Sequence, residues 1–445
     1  MTSTDHPEPP PADLLQQAMQ AHRNTDFDQA RALYEQVLAS EPANPDGLHL
    51  YGVLEGQLNR NQQAMQLIGK ALALNPLEPM FHNNMGNVCV GAERLEDAER
   101  HYRRAIELQP ERYDAINNLA VLLGRRGDFK AAEAAFVQLL RDVPAFTDAR
   151  QNLVHLLLTM GRVTAAVEQC VSGLVTEPRN RSLRKLLGRA YVALDMREEA
   201  VALYRNWLAT EPESVEALHH MAALTGEQVP DQASAGYVRA TFDRFADSFD
   251  AKLAALDYRA PQLVMQAVAV ALGAPGAGLR IADAGCGTGL CGPLLKPYAS
   301  RLAGVDLSPP MLEKAAARGV YDELLADDLV AFFVVRPAAF DVLVSADTLC
   351  YFGRLESFAA AAWSSLVVGG LLVFTVESHE TPQSDAGWRL QLHGRYSHSQ
   401  AYVQQVLAQA GFAVPDVTRV VLRQESAEPV HGWLVSAHKQ DRVGH

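Results

Sequence analysis

The sequence predicts two folds in one chain. An all-α solenoid of two-helix repeats is expected over residues 11–228, followed by an α/β domain on a parallel sheet over residues 229–445. Three observations carry this. Prolines recur every 34 residues through the N-terminal half. Apolar strand-like runs alternate with helical stretches in the C-terminal half. A glycine-rich turn, Gly285-Cys286-Gly287-Thr288-Gly289, follows the first of those runs. A chain of 445 residues is also too long for one hydrophobic core.

The repeat is visible in four registers, each stepping by 34 residues. Pro42, Pro76, Pro110, Pro144, Pro178 and Pro212 form the first, and Ala30, Ala64, Ala98, Ala132, Ala166 and Ala200 the second. A mostly aromatic series follows Tyr34, Ile68, Tyr102, Phe136, Cys170 and Tyr204, and a mostly small one Ala18, Gly52, Gly86, Ala120, Val154 and Gly188. Small residues suit close helix crossings, and an aromatic is expected to fill the gap to the next unit. Proline ends the second helix because it lacks an N–H and clashes with the preceding turn. One such unit cannot bury its own face, so units must stack. The pattern resembles the tetratricopeptide (TPR) family, with six units over 11–214 and a capping helix from Val215.

Asn84, Asn118 and Asn152 also stand 34 apart, in the first helices of three successive units. Two readings stand for these carboxamides. They form a ladder that binds the backbone of an extended peptide, as in some TPR proteins, or they bond to neighbouring helices. Asn83, Asn117 and Gln151 precede them.

The C-terminal half supplies the strand-like runs LRIADAG, RLAGVDLS, LLADD, FDVLVSAD and GGLLVFTVES, then GWLVSAHK. The last two are expected to pair as an antiparallel edge hairpin. Gly287, Gly289 and Gly292 also satisfy the dinucleotide pattern G-x-G-x-x-G, with Asp306 at about the right distance. Register and surroundings set that reading aside. IADAGCGTG resembles motif I of class I methyltransferases, in which an acid, here Asp283, stands two places before the first glycine. The resemblance implies a Rossmann-like fold and S-adenosylmethionine as cofactor.

It also implies site residues. Asp306, in GVDLSPPML, would bind both ribose hydroxyls, with Leu307 and Met311 beside it. Asp328, followed by Leu329, would meet the adenine amino group, with Asp327 as the alternative. Ser345 and Ala346 of the fourth motif would lie by the methionine part, with Gly285, Cys286, Gly287 and Gly289 beneath the ligand. FADSFDAKL and Tyr258-Arg259 resemble a bacterial family of TPR-containing methyltransferases and a related animal group. There Phe249 or Phe245 would lid the cofactor, and Tyr258 and Arg259 would approach its methionine end.

Substrate-side candidates are Tyr351, His393, Tyr396 and His398, with Glu377 and His379 near the same pocket. No general base is assigned. Ser345-Ala346-Asp347-Thr348 stands where a Pro-Pro-aromatic motif would mark methylation of planar amino groups. Net charge is −13, which counts against a nucleic-acid partner. Cys89, Cys170, Cys286, Cys291 and Cys350 show no metal-ligand spacing, so no metal is expected. The acidic, proline-rich start lacks a signal-peptide pattern, and no apolar run reaches the roughly 20 residues of a membrane span. A disordered tail over 1–10 and a cytoplasmic location are expected. Two function classes stand: a methyltransferase whose array recruits a protein or peptide, or a scaffold with a cofactor-sensing or inactive domain. A small-molecule O-methyltransferase is the remaining variant.

Overall fold

The computed structural model describes residues 11–380, 387–425 and 428–440; the tail expected over 1–10 lies outside them. The chain divides into two compact units, the first ending at Leu194 and the second beginning at Asp195.

Among its described residues the first unit is eleven antiparallel helices: α1 (Pro11–Arg23), α2 (Phe27–Ser40), α3 (Pro45–Gln57), α4 (Asn61–Leu74), α5 (Pro79–Gly91), α6 (Leu95–Leu108), α7 (Tyr113–Arg125), α8 (Phe129–Asp142), α9 (Thr147–Thr159), α10 (Val163–Thr176) and α11 (Arg181–Ala193). The four registers explain the stacking. Gly86 is small because a Cβ there would lie 2.4 Å from the Tyr102 ring. The aromatic thus packs first against the small residue of its own repeat. It also reaches the next, as Tyr34 does in stacking on Tyr51 at 6.0 Å. Each repeat proline follows a helix end by two residues, and the residue between has left the helical region, as Glu41 has at φ −132° and ψ +78°. The turn inside each repeat closes on a left-handed residue: Thr25, Asn59, Glu93, Gly127 and Gly161, again 34 apart. Only two of these are glycine, which hides that register in the sequence.

The second unit opens with α12 (Arg197–Thr210) and α13 (Val215–Thr225), the last helices of the repeat pattern. Next come α14 (Ala235–Phe242), α15 (Phe249–Ala255) and α16 (Ala260–Leu272). The α/β core then runs β1 (Leu279–Ala284), α17 (Gly292–Leu295), β2 (Ala299–Asp306), α18 (Pro309–Ala317), β3 (Glu323–Ala326), α19 (Leu329–Val334), β4 (Phe340–Ser345), α20 (Glu356–Ser365) and β5 (Leu366–Ser378). It closes with β6 (Trp388–Leu390), β7 (Tyr396–His398), α21 (Gln400–Ala410), β8 (Asp416–Glu425) and β9 (Glu428–His438).

Strands β3-β2-β1-β4-β5 are parallel, and β9 pairs antiparallel with β5 and with β8. The edge hairpin is therefore β8–β9. GGLLVFTVES is an inner strand, bonded to β4 on one side and β9 on the other. Helices cover both faces, so the inner strands read as unbroken apolar runs. Val342 and Val344 pack on one face with Val264 and Val268, and Leu343 on the other with Phe358 and Val403. Beyond the end of β4 at Ser345, β7 joins β5 at Glu377 and Ser378. Gly432 of β9 already holds the opposite edge of Glu377, so β7 extends the β4 side. Strand order reverses between β1 and β4, and crevices open at the carboxyl ends of strands at such a switch point.

The capping helix α13 is anchored in this unit. His219 Nε2 lies 2.8 Å from the Gly394 carbonyl, between β6 and β7, and its ring stacks on Tyr237 of α14 at 3.9 Å.

Candidate functional site

A cleft sits at the switch point and encloses about 1350 Å³, part of it open to solvent. Its floor is the turn after β1. Gly285 takes φ +72°, and a Cβ there would fall 2.2 Å from Thr348. Glycine lets the β1 and β4 loops close on each other, and Thr348 Oγ1 donates to the Gly285 carbonyl at 3.1 Å.

Asp306 ends β2 beside this turn. Its Oδ2 accepts from Gly287 N and its Oδ1 from Ser308 N, both at 2.9 Å. Each oxygen keeps acceptor capacity, and the residue lines the cleft. Burial pushes this carboxyl up, and the backbone donors pull against it. Asp328 caps α19, with Oδ1 accepting from Val330 N at 2.9 Å and Ala331 N at 3.1 Å, and it also lines the cleft. The neighbouring acid, Asp327, turns its Oδ1 to the Asp328 amide at 2.8 Å and is not on the wall.

Gly285, Cys286, Gly287, Asp306, Leu307, Met311, Asp328, Leu329, Ala346, Tyr258, Phe249 and Tyr351 share this cleft. The remaining residues singled out in the sequence are placed elsewhere, each for a physical reason. Asp283 is buried beneath the turn, where Tyr321 donates its hydroxyl to Oδ2 at 2.6 Å. Gly289 faces the Tyr321 ring and Ala315 of α18. Ser345 is buried and donates to the Ala284 carbonyl at 2.9 Å. Arg259 is exposed, and its amide binds the Leu422 carbonyl at the start of α16. Phe245 is exposed, with the Lys252 ammonium over its ring.

On the substrate side, Tyr396 and His398 point into the core. Tyr396 donates to the Pro230 carbonyl at 2.8 Å. His398 Nε2 lies 3.0 Å from the Gly353 carbonyl, and burial drives this imidazole down to about 4. It is neutral at pH 7 and donates that N–H. His393 lies 3.5 Å from Glu377 Oε2, outside the wall. His379 contacts Ser397 Oγ at 3.0 Å. All five cysteines are buried and free.

Sequence reasoning missed the charged end of the cleft. Arg423 of β8 binds Asp347 Oδ2 through Nη1 at 2.7 Å, Glu425 through Nε at 2.7 Å, and Glu377 through Nη2. Arg395 binds Glu377 at 2.5 Å and Glu425 at 2.7 Å. Asp347, Arg395, Arg423 and Glu425 all line the cleft. Phe242 and Val238 of α14 and Leu253 of α15 supply its apolar lid, in which Phe242 meets Phe249 edge-on at 5.8 Å. No local pattern marks these positions. The i, i+2 spacing of Arg423 and Glu425 was the one available signal, and it needed β8 to be recognised as a strand.

Asp283 yields a pH prediction. Burial raises this carboxyl to about 7, against the pull of the Tyr321 hydroxyl. A raised folded value means stability that is full below the usual 3.8 and lost as pH climbs through 7. Asp283→Asn keeps an acceptor for Tyr321 and removes the titration. Urea unfolding should show the variant gaining about 2–4 kcal/mol on the wild type between pH 4 and pH 8. A gap independent of pH would contradict the assignment.

In the array, the asparagines bond across repeats. Asn84 Nδ2 lies 2.8 Å from His49 Nε2. Asn118 donates to Asn83 and Asn87, both at 3.1 Å, and Asn152 to Asn117 at 3.0 Å. The amide groups are thus held by neighbouring helices. The Oδ1 atoms of Asn118 and Asn152 take no hydrogen bond among the described residues.

The strand order and the glycine-floored crevice define a Rossmann-like α/β domain in a chain that also carries a repeat solenoid. Comparison with known proteins narrows the class. Residues 282–374 match the family described as a methyltransferase domain. Residues 13–86, 83–145, 117–174 and 182–216 match families described as tetratricopeptide repeats. The chain therefore combines tetratricopeptide repeats with a methyltransferase domain. It is similar to human methyltransferase-like protein 27, 44% identical over 84 residues, which are 19% of this chain and 34% of that protein. It is also similar to the 18S rRNA (guanine-N(7))-methyltransferase of Bos taurus, 30% identical over 114 residues, 23% of this chain and 41% of that one. The chain thus spans about a third of the length of the first relative and about two-fifths of the second. A solved S-adenosylmethionine-dependent methyltransferase from Mesorhizobium loti aligns over 39% of this chain and 96% of its own, at 24% identity and TM-score 0.31. Among the described residues no helix is long and apolar enough to cross a membrane.

Proposed function

We propose that this chain is an S-adenosylmethionine-dependent methyltransferase whose repeat array docks a polypeptide. The observation that carries the first half is Asp306. Its two carboxylate oxygens each hold one loop amide and retain acceptor capacity on the wall of a switch-point cleft. That suits two adjacent ribose hydroxyls, which need a bidentate acceptor. The cofactor supplies a methyl group on positively charged sulfur. Leu307, Met311 and Leu329 offer apolar walls for adenine, and Asp328 an acceptor for its amino group. Phe249, Phe242 and Leu253 exclude water above the glycine turn, which strengthens the electrostatics beneath. The chain's main contribution is alignment of donor and acceptor.

The second half rests on the repeats and on the carbonyl oxygens of Asn118 and Asn152, which take no hydrogen bond among the described residues and can accept N–H groups such as a peptide backbone carries. A shallow pocket beside them, lined by Asn87, Tyr102, Asn118, Val121 and Arg125, offers room for a side chain.

One experiment addresses both halves. Full-length protein is incubated with methyl-labelled S-adenosylmethionine and a host lysate, beside a variant with Asn84, Asn118 and Asn152 changed to alanine. Label is expected in a protein band, falling about tenfold or more in the variant for the loss of one to two kcal/mol of docking. Label confined to small molecules would overturn recruitment, and no transfer would overturn the enzyme.

A further inference from the structure

The cleft has two chemically different ends, and strand order keeps them apart. Asp306 and Asp328 follow β2 and β3, on one side of β1. Asp347 follows β4, and Arg395, Arg423 and Glu425 come from beside β7 and from β8, on the other side. A cofactor held at the first end leaves the second to face whatever receives the methyl group.

Hydrogen-bond accounting at that second end leaves one group unused. Both guanidiniums are committed: Arg423 to Asp347, Glu377 and Glu425, and Arg395 to Glu377 and Glu425. Three carboxylates face two guanidiniums, an excess of one acid, and burial pushes the Asp347 carboxyl up against the pull of Arg423. The Oδ1 atom of Asp347 is buried and has no hydrogen-bond partner among the described residues. Its carboxylate accepts only, so the missing partner must bring an N–H or O–H. Asp347 is also held in an unusual backbone state, φ +56°, with its amide donating to Thr375 Oγ1 at 2.8 Å. Such strain is maintained where surrounding contacts fix it, and the residue lines the cleft. The rings of Tyr258, Tyr351 and Phe242 line the same cleft. An acid in excess, an unmet acceptor and aromatic walls are the chemistry that takes up an ammonium group.

Building on the methyltransferase reading, we infer that the acceptor is an amine, held by an N–H directed at Asp347 Oδ1. The nitrogen sheds one proton to the carboxylate it faces. Its lone pair then forms the new nitrogen–carbon bond, and the electron pair of the broken carbon–sulfur bond stays on the sulfur of the sulfonium donor. A carboxylate acceptor is repelled by the cluster, and an alcohol gains the hydrogen bond without the charge.

The test is a binding series on full-length protein, scored by calorimetry. S-adenosylhomocysteine is titrated first, into wild type and Asp347→Asn. The saturated proteins then receive 2-phenylethylamine, 2-phenylethanol or phenylacetate, which share one ring and chain length. Wild type should bind the amine about tenfold or more tighter than the alcohol, and phenylacetate weakest, for a charged hydrogen bond of about 1.5–3 kcal/mol. Asp347→Asn, which tolerates the left-handed backbone, should bring the amine to the level of the alcohol and leave S-adenosylhomocysteine affinity unchanged. Equal affinities in wild type, or phenylacetate binding best, would overturn the inference. A fall in S-adenosylhomocysteine affinity in Asp347→Asn would overturn it too, by assigning the carboxylate to the cofactor's own amino group. No S-adenosylhomocysteine binding to wild type would instead overturn the methyltransferase reading on which the inference rests. Asp347→Glu, longer by one methylene, is the control for folding: it should keep the preference for amine over alcohol.

Discussion

Asp306→Asn is expected to weaken S-adenosylmethionine binding about a hundredfold. The carboxylate accepts from Gly287 N on one oxygen and Ser308 N on the other. An amide there must turn its NH₂ against one of those backbone donors, so it loses an acceptor on that side altogether. Two charge-assisted bonds to the ribose would then weaken or vanish. At about 1.5–3 kcal/mol for a bond to a charged group, the loss of one alone accounts for one to two decades of affinity. The displaced loop amide adds about 1–3 kcal/mol of lost stability, so calorimetry and thermal unfolding should both register the change. If affinity held while stability fell, Asp306 would be a loop clamp and no more.

The second large effect is expected at Arg423. Its side chain is 3% exposed, and Glu377 beside it 5%. Arg423→Met keeps the volume and removes the charge, leaving Glu377 and Glu425 to Arg395 and Asp347 without its ion pair. Removing one partner of a buried ion pair costs about 3–5 kcal/mol. A unit of this size loses roughly 2–4 °C of melting temperature per kcal/mol, so a fall near 10 °C is expected. The pH dependence identifies the cause. Burial raises the Glu425 carboxyl, but Arg395 and Arg423 outweigh it and hold it down at about 2. A depressed folded value gives stability that is present above the usual 4.5 and lost as pH falls toward 2. Part of that stability is already absent from the variant. The gap between wild type and Arg423→Met should therefore narrow as pH drops from 5 toward 2. A gap that stays constant would mean that lost packing is responsible.

These two positions show what the sequence made legible. Asp306 was readable because its chemistry is local: a strand end, an acid, and a helix cap within four residues, following a glycine turn of known geometry. The repeat was readable for a related reason. A 34-residue period forces the same close contact at Gly52 and Gly86, so a small residue repeats where a Cβ cannot fit. Arg423 was not readable. It is joined to Asp347, 76 residues away, and to Glu377, 46 away, through a strand pairing that local pattern does not encode. The antiparallel pairing of GGLLVFTVES with GWLVSAHK was readable and holds as β5–β9, but the hairpin at the edge is β8–β9, because β8 lies outside β9. His398 shows the converse. It was expected on the substrate side, but the β6–β7 pairing buries it against Gly353 and Tyr402. The asparagine ladder lies between these cases. Its spacing was visible, but its bonds across repeats, such as Asn152 to Asn117, depended on how the helices stack.

The decisive measurement is a structure of the full chain with S-adenosylhomocysteine. It should show the ribose hydroxyls on Asp306, the adenine amino group on Asp328, and the sulfur over the Gly285–Gly287 turn facing Asp347. A ligand bound outside this cleft, or one whose ribose makes no contact with Asp306, would contradict that placement.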